Sequence, residues 1–405
     1  MGTVTTHHAG PLAGIRVVDL TSTFMGPYCT LLLAQMGAEV IKVEPPTGDV
    51  VRYIGDDRGV GMGPVFLNAN RGKRSVALDL KTPAGRGVLQ RLVTTADVFV
   101  HNVRPEAARR LGIGYAEVAA VNAATVYCAL RGYGREGPYR DRAAYDDVIQ
   151  ASCGLAAVQG AADEPAYVRT PVADKAVGLL ALSAINAALF ARERTGRGQE
   201  IEVPMLESMV TFTLLDQQGG YVFDPPRGAA GYARTASPFR KPYRTADGYL
   251  SVMVYTDTQW RTFFALVGRP DMAADPRYRT ITERTQHIDE LYQLVEKELL
   301  ARPSAEWLAA LSRAEIPAAP IHSVPDLFTD DHLVAAGLFE RVEHPSEGPL
   351  RLARFPVSFG GSHPDRPRPA PRLGEHGAEV LAELGYGPED IDGLVAAGAV
   401  IEEET

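Results

Sequence analysis

The sequence predicts an α/β protein: a larger domain on a mainly parallel sheet covered on both faces, and a smaller α/β domain. Three observations predict it. Short apolar runs alternate with helical stretches as far as residue 207, residues 15–44 read as a strand–helix–strand unit, and the weakly periodic segment 208–240 separates this pattern from a second one. Strands that alternate with helices run parallel, and such sheets take ligands at the carboxyl ends of their strands.

In order, IRVVDL is the first strand, TSTFMGP breaks it, YCTLLLAQMGA is helical and EVIKVE is the second strand. SVALDL follows, then a helix opened by Thr82-Pro83 that carries Val88, Leu89, Leu92 and Val93 on one face. DVFV and TVYCAL are further strands, with a short helix from Tyr115 to Asn122 between them. A long helix, KAVGLLALSAINAALFARERTG, follows Asp174, and GQEIEVPM reads as a strand. Segment 208–240, with DPPRGAAGYARTASP, reads as linker and loop. The smaller domain opens with a hairpin, KPYRTADGYLSVMV, turning at Asp247-Gly248, and continues as helices around 258–267, 284–300 and 304–313. Pro364 to Pro371 is another linker, and GEHGAEVLAELGY is a final amphipathic helix.

Composition narrows the function. With 41 basic and 50 acidic residues among 405, the formal charge of -9 opposes broad binding to nucleic acid or to anionic membrane, so a phosphate-bearing ligand must meet a local basic patch. Cys29, Cys128 and Cys153 form no CxxC or metal-ligand spacing, which fits a reducing cytoplasm. The N-terminus has no signal-peptide pattern, and His7-His8 reads as an unstructured lead-in. The longest apolar stretch, Ala176 to Ala191, is shorter than the roughly 20 residues of a membrane span and reads as a buried soluble helix.

Candidate chemistry is sparse. The first strand–helix turn, Ser22 to Pro27, lacks the G-x-G-x-x-G that approaches a dinucleotide pyrophosphate. Walker, zincin, GxSxG and EF-hand patterns are absent, and no metal is expected. Glu44 reads as a surface carboxylate at a strand end, and His101 and His376 as structural or capping residues. Basic residues cluster at Arg71, Lys73 and Arg74; at Arg104, Arg109 and Arg110; and at Arg131, Arg135, Arg140 and Arg142, where arginine forks suit a multiply phosphorylated ligand. Asp174, just before the long helix, suits an N-cap held ionised by the helix dipole. An ionised carboxylate is also able to attack an activated carbonyl, and residue physics leaves that alternative open.

The chain resembles the family III coenzyme A transferases, the CaiB–BaiF group that includes formyl-CoA transferase, from Pro11 to about Ile401. Long blocks carry the resemblance in order, among them PLAGIRVVDLTSTFMGPYCTLLLAQMGAEVIKVEPP, NRGKRSVALDLKTPAGR, ADVFVHNVRPEAARRLGIGY, GYGREGPY, PVADKAVGLLAL and LGEHGAEVLAELGY. It implies an interlocked homodimer with a Rossmann-like large domain whose N-terminal part is 1–207, a linker 208–240, a small domain 241–325 and a C-terminal return to the large domain at 326–405. It makes Asp174 the nucleophile, which displaces capping as the preferred role while remaining compatible with it. CoA then moves from an acyl-CoA to a small carboxylic acid through aspartyl anhydride and aspartyl-CoA intermediates, with no permanently bound cofactor and no nucleic-acid or membrane partner.

By the same resemblance, Met25, Leu78, Asp79, Leu80, Lys81, Asn102, Val103, Arg104, Arg110, Arg142 and Tyr145 contact CoA, with Arg104 and Arg110 as phosphate ligands. Phe24, Met25, Tyr145 and Asp146 belong to the substrate pocket. Tyr145 stands where the related α-methylacyl-CoA racemases place a proton-shuttling histidine, which disfavours isomerisation. A racemase-like isomerase and a CoA-binding protein without turnover are the alternatives. Two departures from formyl-CoA transferase, Phe24-Met25 and the absence of its glycine-rich loop near 254–259, suggest a bulkier or more apolar acyl pocket and disfavour formyl-CoA and oxalate.

Overall fold

The computed structural model describes residues 10–160, 164–360 and 368–401. The His7-His8 lead-in and residues 364–367 of the second linker lie outside them. The chain divides into two compact units, one of residues 1–159, 166–212 and 337–405, the other of 160–165 and 213–336.

Seven strands form the sheet of the first unit: β1 (Arg16–Leu20), β2 (Glu39–Glu44), β3 (Lys73–Leu78), β4 (Val98–His101), β5 (Val126–Arg131), β6 (Glu200–Pro204) and β12 (Val400–Ile401). Their order is β12-β3-β2-β1-β4-β5-β6, parallel throughout except for β12 against β3. This is the mainly parallel sheet expected.

Strand pleating sends alternate residues to opposite faces. Val17, Val40, Val98 and Cys128 pack against the helices Met25–Gln35 and Val172–Thr195. Val18, Ile41, Phe99 and Ala129 pack against Pro83–Thr94, Pro105–Leu111, Tyr115–Val121 and Gly377–Glu383. The helix after β1 thus covers one face and the helix after β4 the other. A crevice must open between the carboxyl ends of these two neighbouring strands, which is where doubly wound sheets bind ligands.

Local chemistry agrees with the pattern. Thr82 caps Pro83–Thr94 by accepting the Gly85 N–H at 3.0 Å. Close approach demands glycine at Gly178, where a Cβ would come within 2.8 Å of the Met25 carbonyl oxygen, so the long helix lies directly on the helix after β1.

Three expectations need correction. Residues Met205–Gln217 are helical although loop was expected from 208. Leu206, Met209, Phe212, Leu214 and Leu215 make this helix apolar on several sides, so it shows no single-face period. The long helix begins at Val172, and only part of it is buried: Ala173, Val177, Ala181, Ile185 and Ala188 face the sheet, whereas Leu179, Leu180 and Phe190 are exposed. It is long and apolar enough to cross a membrane by length and composition alone. Finally, Gly377–Glu383 is not the last helix; Pro388–Ala396 follows and leads into β12.

The second unit has its own core of Trp260, Phe263, Leu291 and Trp307 around a three-stranded sheet of β7 (Tyr243–Arg244), β8 (Tyr249–Val252) and β9 (Ala318–Pro320). β7 and β8 are the expected hairpin. Its turn is closed by Gly248 N–H donating to Thr245 Oγ1 at 3.0 Å and anchored by Ser304 N–H donating to Asp247 Oδ1 at 2.7 Å. Residues 256–259 form a capping box, Thr256 with Gln259, that opens the helix Asp257–Leu266. In the first unit β10 (Phe339–His344) and β11 (Gly348–Ala353) make a separate antiparallel ribbon.

Candidate active site

A cavity of about 290 Å³ opens at the crevice between β1 and β4. Ser22, Thr23 and Met25 line it from the turn after β1, Asn102, Val103 and Arg104 from the turn after β4, and Gly132, Arg142 and Tyr145 from the segment after β5. Asp174 completes the wall from the start of the long helix.

Asp174 is not the N-cap. Pro171 occupies that position, and Asp174 is the third helical residue. A neighbour supplies the cap: the Asp174 N–H donates to Asp146 Oδ2 at 2.9 Å. Asp146 is itself held by Gln150, whose Nε2 donates to Asp146 Oδ1 at 2.7 Å and whose Oε1 accepts the Val168 N–H at 2.9 Å. Nor is Asp174 held ionised. Burial, followed by the nearby Asp146 carboxylate, pushes its carboxyl up to about 7, against the pull of the helix N-terminus. Near neutrality this carboxyl is poised between a nucleophile and a neutral acid.

The turn after β1 is held by buried polar groups. Asn102 bonds Ser22 twice, its Oδ1 accepting the Ser22 N–H at 3.0 Å and its Nδ2 donating to the Ser22 carbonyl at 2.9 Å, which locks the two turns of the crevice together. Thr23 has a φ of 74°, a strained conformation for a β-branched residue that costs about 1–3 kcal/mol. Beneath it, Lys73 Nζ donates to Asp19 at 3.2 Å and Lys42 Nζ to Asp49 at 3.0 Å, all four side chains being fully enclosed. Burial brings Lys73 down to about 8, with Asp19 opposing it.

The structure therefore takes the first basic cluster away from any ligand. Lys73 is enclosed, Arg74 pairs with Glu39, Glu379 and Glu383, and Arg71 donates to the Ala353 carbonyl. In the third cluster Arg131 and Arg135 pair with Glu202, while Arg142 stacks 3.8 Å from the Tyr139 ring centroid and lines the cavity. Glu44 is not a surface carboxylate but is buried and bonded to Arg52 at 2.7 Å. His101 is structural: its Nδ1 accepts the Val103 N–H at 3.1 Å, its Nε2 therefore donates to Tyr127 at 2.7 Å, and burial lowers it to about 4.

Of the residues singled out from sequence, Met25, Asn102, Val103, Arg104, Arg131, Arg140, Arg142, Tyr145 and Asp174 share the cavity. Asp146 lies behind Asp174. Phe24 does not line the cavity but packs toward Val51, Met62 and Phe66. Residues 78–81 close β3, where Asp79 N–H donates to the Ala399 carbonyl at 3.0 Å, and they do not line the cavity. Arg110 lines a different one, of about 320 Å³, with Arg86 and Arg109. Six residues along the chain from Arg104, it projects from another side of the same short helix. Sequence reasoning missed Ser22, Thr23, Gly132 and Met205; the first two were legible only as part of the turn searched for glycines.

A cavity at this position, on this sheet, places the protein among doubly wound α/β folds, which take their ligands at the carboxyl ends of the strands. Residues 12–377 match the model of CoA-transferase family III, and the chain belongs to that family. It is similar to a succinate–glutarate CoA-transferase of Agrobacterium fabrum, 35% identical over 92% of this chain and 96% of the relative. It is also similar to a formyl-CoA:oxalate CoA-transferase of Streptomyces avermitilis, 34% identical over 96% of this chain and 99% of the relative. Among solved structures, a CaiB/BaiF family protein from Brucella suis superposes with a TM-score of 0.78 at 32% identity, covering 93% of this chain and all of the other. The protein is an acyl-CoA:carboxylate CoA-transferase, and CoA thioesters are its substrates.

Proposed function

We propose that transfer proceeds covalently through Asp174. The ionised carboxylate attacks the thioester carbonyl, the C–S bond breaks, and CoA leaves as thiolate from a mixed anhydride. The thiolate then attacks the aspartyl carbonyl of that anhydride, releasing the donor acid and leaving aspartyl-CoA. The acceptor carboxylate attacks the aspartyl thioester, giving a second anhydride, and the expelled thiolate takes the new acyl group and restores Asp174. One thioester replaces another, so no external energy source is consumed.

The observation that carries this reading is the carboxyl of Asp174 on the wall of the crevice cavity, raised to about 7, with Arg104 and Arg142 elsewhere in the lining of the same cavity. In this reading the CoA chain lies along Asn102, Val103 and Arg104, with Arg142 and Tyr145 at its side, and Arg104 meets phosphate. Residues 78–81 and Arg110 would meet the far end of CoA outside the cavity. Met25 borders the acyl group. Short dicarboxylyl-CoA thioesters are the proposed donors, supported by the relatives named for succinate and glutarate and by the arginines of the cavity. No histidine lines this cavity among the described residues, which removes support from the racemase-like alternative.

The working form is proposed to be a cytoplasmic homodimer, interlocked as in the family. Exposed Leu179, Leu180 and Phe190 on the long helix support it, since large apolar side chains left uncovered on one helix suit a partner.

The test is intact-protein mass spectrometry after mixing the protein with a panel of acyl-CoA thioesters and no acceptor, followed by hydroxylamine and peptide mapping. A CoA adduct on Asp174 that hydroxylamine removes is expected. Measurable CoA binding without an adduct from any donor would overturn the covalent route.

A further inference from the structure

The turn from β1 into its helix carries the cavity-lining residues Ser22 and Thr23, and its least favourable backbone conformation is at Thr23. No glycine is there to take φ of 74° without strain. What holds Thr23 is Asp49, whose Oδ1 and Oδ2 accept the Thr23 N–H at 3.1 and 3.2 Å. Asp49 is only 2% exposed. Lys42 Nζ donates to Asp49 Oδ2 at 3.0 Å and to the Thr21 carbonyl at 2.8 Å, so one ammonium ties the carboxylate to the turn. On its other side Asp49 donates its own N–H to Glu44 at 3.0 Å, and Glu44 is clamped by Arg52. A strained backbone persists where its surroundings over-determine it, and such strain gathers at functional sites.

We propose that Asp49 is a positioning residue for acyl transfer: by accepting the Thr23 N–H it keeps the turn left-handed and so sets the wall that Ser22 and Thr23 give to the Asp174 cavity. Asp49 does not line the cavity and acts through Thr23. A wall of fixed backbone discriminates acyl groups by size, so Asp49 governs donor preference as well as rate. The inference rests on the reading of this cavity as the acyl site.

The experiment measures steady-state transfer with succinyl-CoA and a longer straight-chain acyl-CoA as alternative donors, in the full-length protein and three variants, each checked by thermal denaturation. Asp49→Ala, which leaves no acceptor for the Thr23 N–H, is expected to lower kcat/KM about tenfold or more and to shift the ratio between the two donors. Adding Thr23→Gly, which adopts the left-handed conformation without being held, is expected to restore both in part. Thr23→Pro leaves the Lys42–Asp49 pair intact while removing the N–H and forcing φ to about −65°, and is expected to lose activity like Asp49→Ala; it decides the matter if Asp49→Ala does not fold.

Either single variant folding with wild-type kcat/KM and donor ratio overturns the inference. So does a double variant no better than a folded Asp49→Ala. The Asp174 adduct separates the two failures. An adduct in the wild type with unaltered variant kinetics defeats the role of Asp49 alone, whereas no adduct defeats the covalent reading of the site and this inference with it.

Discussion

Asp19 and Asp174 belong to the same unit, one near the end of β1 and one at the start of the long helix, and their surroundings drive them in opposite directions. Burial would raise Asp19, but Lys73 and Lys42 outweigh it, Thr21 and Thr30 donate hydroxyls to it, and its carboxyl is held below the usual range. For Asp174, burial and the Asp146 carboxylate act together and raise it to about 7. A carboxylate whose oxygens are fully engaged is a structural charge. One left destabilised at a cavity wall gains by forming a bond, which neutralises it.

The largest expected effect tests the reactive side of this pair. Asp174→Ala should lower CoA exchange between acids by at least about a thousandfold while free CoA still binds, measured by exchange kinetics and calorimetry. The structural side comes next. Asp19→Asn removes the carboxylate facing buried Lys73, whose ammonium then keeps only the neutral oxygens of Asn70 and Pro27, and should cost about 3–5 kcal/mol in urea denaturation. Equal tolerance of both substitutions would break the comparison.

The pH dependence sharpens it. Transfer requires ionised Asp174, so the single-turnover rate should rise about tenfold per pH unit below about 7 and level off above it. Asp146→Asn removes the like charge and should move that midpoint to lower pH.

The smallest effect concerns stability. The folded carboxyl of Asp174 lies near 7, above the ordinary aspartate value of 3.8, so its favourable contribution is complete only below the unfolded value and is lost as pH rises through about 7. Asp174→Asn should accordingly stabilise the fold by roughly 1–2 kcal/mol at pH 8 and by nothing at pH 4, read from denaturant midpoints. Asp19 runs in the other sense: its contribution is present above the unfolded value and is lost as acid carries the protein down through its lowered one.

Much of the site was legible before the fold was known, but unevenly. The strand–helix alternation located the carboxyl ends of β1 and β4, and the motif blocks picked out Asp174 and Asn102. The basic cluster of Arg71, Lys73 and Arg74 reads from sequence as charged surface or ligand site, because such a group of residues looks alike on a surface and in a core. Only the pairing of β2 with β3 beside β1 brings Lys73 and Lys42 to Asp19. Asp174 was misread as a cap for a related reason: its side-chain type suits the role, but Pro171 had already opened the helix and Asp146 reached its N–H.

The sequence by itself determined the periods of its strands and helices, the parallel sense of the sheet and the family of its chemistry, because these follow from local side-chain pattern and from motifs that survive as contiguous text. Tertiary structure alone decided which charges are paired, which arginines face a cavity and where Asp174 titrates. Those depend on burial and on distances between residues such as Asp19 and Lys73, 54 positions apart in the chain, and electrostatic energy is a function of separation and dielectric, neither of which is written in the order of the residues.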